Sequence, residues 1–111
     1  MGHNITWEIL RTLDSSTMVS DTTWYPIGGP LLFPGLKVKM VNTSNVLVTV
    51  SIDGVNAYDV CPSESFWLYD ETINVSQTSA SIPQVQQGTQ FYCQSLIAGT
   101  GLIYLVSQYI T

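Results

Sequence analysis

Residues 46–70, VLVTVSIDGVNAYDVCPSESFWLYD, restrict the fold more than any other part of the chain. Val46, Val48, Val50 and Ile52 fall on one side of an extended backbone and Leu47, Thr49, Ser51 and Asp53 on the other, the period of two that marks a half-buried strand. In a second strand Phe66 and Leu68 alternate with Trp67 and Tyr69, aromatic residues that sit well on a pleated surface. Between them, Asp53-Gly54 and Cys61-Pro62-Ser63 are turn chemistry, where glycine supplies positive φ and proline fixes its own. The stretch therefore reads as two apolar strands joined by a turn-rich crossing.

The flanking segments follow the same period. In residues 4–13, Ile5, Trp7 and Ile9 share one face, while Leu10 and Leu13 break the alternation; the segment reads as a strand. Asp14-Ser15-Ser16-Thr17 ends it through side chains that bond their own backbone. Residues 36–41 place Leu36, Val38 and Met40 inward and Lys37 and Lys39 outward, which predicts an edge strand guarded against stray pairing. Asn42-Thr43-Ser44-Asn45 predicts a hairpin loop, so that residues 36–41 and 46–52 would pair antiparallel. A short strand is expected near residues 73–76, within a polar stretch over residues 72–87. In residues 89–96, Phe91, Cys93 and Ser95 face one way, and Ala98-Gly99-Thr100-Gly101 predicts a tight hairpin. Ile103, Leu105, Ser107 and Tyr109 then share one face of a last strand. The expectation is a single all-β domain over residues 1–111, a β-sandwich of jelly-roll or Ig-like type with about seven or eight short antiparallel strands.

Residues 21–35, DTTWYPIGGPLLFPG, hold three of the five prolines and three of the eight glycines, a density that forbids a regular element. A long irregular segment inside a small domain is usually functional or pinned by a neighbour. Trp24, Tyr25, Leu31, Leu32 and Phe33 are too apolar to be left in water. Either the loop folds back over one mouth of its own sandwich, or it is an arm laid onto an adjacent subunit. These five residues, with Trp7, are the expected protein-interface residues.

Charge narrows the function classes. Arg11, Lys37 and Lys39 face eight acids, for a net charge of −5. Phosphate binding needs clustered Lys or Arg, so specific nucleic-acid binding is not expected. With 10% charged and 45% hydrophobic residues, few charges remain to cover a free monomer, and much of the surface is expected to be buried against partners. No apolar run reaches the ~18 residues of a membrane span, and Met-Gly-His-Asn-Ile has neither the basic start nor the apolar core of a signal peptide. Neither secretion nor a membrane association is expected.

No catalytic constellation is present, so no enzymatic role and no cofactor or metal is expected. His3 stands alone and reads as flexible tail. Asp53, Asn56 and Asp59 offer oxygens three apart, a faint calcium pattern set against turn capping, and they read as capping. Cys61 and Cys93 read as buried or half-buried free thiols of a reducing compartment.

Two segments together carry a resemblance. Ser51-Ile52-Asp53-Gly54 and residues 62–70 (PSESFWLYD), followed by residues 88–92 (GTQFY) and 99–105 (GTGLIYL), resemble a pattern in small structural proteins encoded among the virion genes of tailed bacteriophages. The match covers about half the chain, outside the loop at residues 21–35. It implies a β-sandwich present in several copies around the head, its collar or the head–tail junction, with no enzymatic role, assembled in the host bacterial cytoplasm and located in the virion. The acidic balance favours the collar or head–tail junction over a DNA-facing position. Its partners would be copies of itself and portal, adaptor, tail or capsid proteins. A capsid decoration protein is the close alternative. A carbohydrate-binding β-sandwich that stacks sugars on Trp67, Tyr69, Tyr92 and Tyr104 is the rival from another class.

Overall fold

The computed structural model describes residues 4–70 and 85–110; the strand expected near residues 73–76, and His3, lie outside them. Nine strands run through the described residues: β1 (Ile5–Trp7), β2 (Arg11–Asp14), β3 (Tyr25–Pro26), β4 (Lys37–Asn42), β5 (Val48–Ser51), β6 (Asp59–Cys61), β7 (Ser65–Asp70), β8 (Tyr92–Gln94) and β9 (Leu102–Ile110). One sheet has the order β1-β9-β4-β7, with β2 also paired to β9, and the other has the order β3-β8-β5-β6. All pairings are antiparallel.

β1 and β2 lie end to end along β9 and form one interrupted strand, which leaves eight. Their pairings nest: β5 with β6, β4 with β7, β3 with β8, and β1–β2 with β9. Nested pairing is one long antiparallel hairpin rolled over on itself, so that successive pairs alternate between two sheets. This is the double Greek key of a jelly roll, and it decides between the two sandwich types the sequence left open. Between the sheets, Val38 and Met40 of β4, Val48 and Val50 of β5, Cys93 of β8, and Ile103 and Leu105 of β9 pack with Met18, Ile27 and Phe91. At about 1.5–3 kcal/mol for each fully buried aliphatic or aromatic side chain, this layer is the main favourable term.

Rolling corrects two predicted hairpins and one predicted edge. β4 pairs with β9 and β7 and is central, so Lys37 and Lys39 stand on the outer face of an inner strand and guard no edge. Alternation reports which face is wet and says nothing about which strands are neighbours. β4 and β5 belong to different sheets, as do β8 and β9, so the loops after Asn42 and after Gln94 are arches crossing the sandwich. A buried side chain shapes the first arch. Asn42 Nδ2 donates to Val46 O at 2.8 Å and Cys61 O at 3.1 Å, and Asn42 Oδ1 accepts from Ser44 N at 3.0 Å. The arches then hold each other: Asn45 N donates to Thr100 O at 3.1 Å, and Thr100 N donates to Asn45 Oδ1 at 2.9 Å. Gly101 has φ +107, and a Cβ there would lie 2.9 Å from Ser44 Cα and Thr43 O. Only glycine allows this approach.

The centre of the opening stretch also departs from its pattern. Ser51 is buried and Ile52 is exposed, the reverse of the alternation, because β5 stops at Ser51 and the chain turns out of the pleat. Ser51 Oγ donates to Asp53 Oδ1 and accepts from Gly54 N at 3.0 Å. β6, in a segment read as turn, is a third strand that completes a hairpin with β5. Asp53 caps that hairpin by accepting from Asn56 N at 3.0 Å, Tyr58 Oη at 2.7 Å and Val55 N at 2.8 Å. Its oxygens are thus engaged in turn capping. The Asn56 amide, the Tyr58 hydroxyl and the Val55 amide hold the Asp53 carboxyl well below its usual 3.8. A depressed carboxyl stabilises the fold above its unfolded value and loses that contribution as pH falls through the folded one. The hairpin is therefore expected to be intact at pH 3.8 and to loosen only in stronger acid. Carboxyl NMR titration of Asp53 checks this, and a midpoint at or above 3.8 would contradict it.

Candidate interaction surface

The surface begins at a break in the first strand. Trp7 lies opposite Gln108 and Arg11 opposite Leu105, so three residues, Glu8, Ile9 and Leu10, span where β9 uses only Val106 and Ser107. This is a β-bulge, one extra residue that bends the strand. Glu8 N still donates to Ser107 O at 2.9 Å, which sets Glu8 inward. Past the bulge Arg11 takes an inward register position, and Ile9 and Leu10 are both left outside. Two opposite charges are thereby drawn in at the sandwich rim.

Together they clamp the Pro/Gly-rich loop. Glu8 Oε1 accepts from Arg11 Nη2 at 2.8 Å and from Leu32 N at 3.1 Å, and Oε2 accepts from Phe33 N at 3.1 Å. Arg11 Nε donates to Gly29 O at 2.8 Å, and Nη2 donates to Pro30 O at 2.7 Å. A segment whose prolines forbid regular pairing has its free backbone groups satisfied by one ion pair. Gly28 has φ +66, and a Cβ there would lie 2.5 Å from Arg11 Cγ, so the arginine stem lies flat on the loop only because glycine is present. On its other side the loop pairs through β3 with β8, and Leu31 N donates to Thr89 O at 2.9 Å.

The loop therefore folds back over its own sandwich, the first of the two readings. Leu31, expected at an interface, is 2% exposed and belongs to the chain's own core. Its packing fills the mouth between the sheets. Tyr25 packs against that core and its hydroxyl accepts from Ser20 N at 3.0 Å; Trp24 is half-buried. Trp7, Leu32 and Phe33 remain at the surface, and Phe33 stacks on Tyr109 with ring centroids 4.0 Å apart. Ile5, Ile9 and Leu10 join them, with Trp7 61%, Ile9 88% and Leu32 63% exposed. The result is an apolar rim along β1 and the loop. Glu8 is the one ionic side chain in residues 4–10, and it points inward.

Glu8 and Arg11 are the site residues that sequence reasoning did not single out. Two signals were present: the break in alternation at Leu10, and opposite charges three residues apart in a chain with few charges.

The thiols play no part in this surface. Cys61 lies opposite Val48 and Cys93 opposite Val50, on either side of β5. Two strand spacings, roughly 9–10 Å, exceed the ~7 Å a disulfide allows, and both cysteines are free and buried. Burial pushes the Cys93 thiol up to about 12 and raises Cys61 as well. A raised acid contributes its full stability below its unfolded value, near 9.0, and loses it as pH climbs through the folded value. Stability is expected to fall above pH 9.0, and neither thiol is expected to react with a disulfide reagent at neutral pH until the chain unfolds. Prompt labelling of the native protein would contradict this.

The four aromatics of the carbohydrate reading are divided between the two sheets. Tyr92 is in β8 of one sheet, whereas Trp67 and Tyr69 are in β7 and Tyr104 is in β9 of the other. No protein-family model, curated protein or solved structure matches this chain.

Proposed function

We propose that this chain is a multicopy structural component of a tailed-bacteriophage virion, acting at the head–tail junction or collar without catalysis and without a cofactor. The observation that carries the reading is the apolar rim of Ile5, Trp7, Ile9, Leu10, Leu32 and Phe33, which is held rigid by a buried ion pair and bare of outward charge. Exposed apolar patches of several hundred Å² mark interaction sites. The rim lies on a jelly roll, an architecture used repeatedly in viral capsids and also in lectins; that part of the support is analogy. A net charge of −5 suits contact with protein neighbours better than with packaged DNA.

Protein analysis of purified particles from a phage carrying this gene, with and without the gene deleted, tests the reading. The chain is expected in multiple copies per particle, and its loss is expected to leave heads and tails unjoined. Joined particles whose capsids are merely fragile would favour a decoration role. Absence of the chain from the particles would end the assembly reading.

A further inference from the structure

We infer that two copies of this chain associate through β1, edge to edge and antiparallel about Thr6, extending the β1-β9-β4-β7 sheet across a twofold axis. The inference rests on the assembly reading and names its first contact. The bond from Glu8 N to Ser107 O sets the phase of the ladder. Hydrogen-bonded and non-bonded pairs alternate along an antiparallel pair, so the backbone groups of Ile5 and Trp7 point away from β9. Among the described residues, no strand pairs with β1 on that side.

Such an edge is normally blunted by charge or proline. Here residues 4–10 contain no proline, and their one ionic side chain, Glu8, is turned inward and paired. A second copy can therefore approach without like-charge repulsion at the contact, although each copy carries −5 overall. Placing the outward groups of Ile5 opposite those of Trp7 from the second copy gives two β-branched–aromatic cross-strand pairs, a favourable combination. The area also fits. The six rim residues together expose roughly 700 Å², close to the ~800 Å² that one partner contributes to a standard interface.

Light scattering after size exclusion at about 100 µM, where interfaces of this size are populated, is expected to give twice the 12.2 kDa chain mass. Trp7→Lys should return the monomer mass. Trp7→Pro should do the same while keeping the fold, since the amide it removes points outward; far-ultraviolet circular dichroism checks the fold of both. Thr6→Cys should cross-link into a disulfide dimer on mild oxidation, because Thr6 would face its own copy at about 4.5 Å between Cα atoms. An Ile9→Cys variant should not cross-link. A wild-type monomer, or an oligomer that Trp7→Lys leaves unchanged, would overturn the edge contact. Particles that still contain the chain would leave the assembly reading standing in either case, and a dimer absent from particles would do the reverse.

Discussion

Replacing Glu8 with alanine is expected to lower stability by about 3–5 kcal/mol, the range for breaking a buried ion pair by removing one partner. The loss has three parts that act together. Arg11 keeps a guanidinium near the rim with no counter-charge, Leu32 and Phe33 lose the acceptor for their amides, and the loop lid over Leu31 loosens. For a domain of this size the melting temperature should fall by more than about 10 °C. Thermal unfolding followed by circular dichroism measures it. The double variant Glu8→Leu/Arg11→Met should recover much of the loss, because an apolar pair of similar volume leaves no stranded charge. A single Glu8→Ala variant within about 1 kcal/mol of wild type would mean that the ion pair does not hold the loop.

Asn42→Leu should be comparably severe. The side chain is fully buried, and its amide supplies Val46 O and Cys61 O while its carbonyl receives Ser44 N. Leucine keeps the branched shape but is larger, and it leaves Cys61 O and Ser44 N without the partner Asn42 supplies, at about 1–3 kcal/mol for each, while Val46 O retains only Ser44 Oγ at 3.2 Å. The total is expected to reach about 4 kcal/mol, read as a fall in the urea midpoint. The effect should be global, because the arch that Asn42 shapes is where the chain crosses between sheets. An unchanged midpoint would show that water or a local shift replaces the lost bonds.

The two residues differ in how visible they were beforehand. Asn42 sits in a run of four turn-forming residues, and the turn was legible, but a hairpin and an arch use the same residue types. Only the nested pairing of β4 with β7 and β9 separates them. Glu8 sits in an alternating segment, and only the irregular spacing of Leu10 and Leu13 hinted that the strand bulges there. Lys37 and Lys39 show the same division: their outward direction was correct and their edge position was not. Ser51 and Ile52 exchanged places because a side chain capping the next turn overrode the period.

Local alternation was enough to establish an all-β chain, the inward faces of residues 36–41, 89–96 and 102–110, and a proline-rich segment barred from regular structure. Each of those follows from the backbone geometry of a few adjacent residues, which the order of side chains states directly. The choice of the jelly roll, the inward turn of Glu8 and Arg11, and the gathering of Trp7, Ile9, Leu32 and Phe33 on one rim came only with tertiary structure. They depend on which distant strands share hydrogen bonds, and strands that alternate alike carry no local mark of their partners.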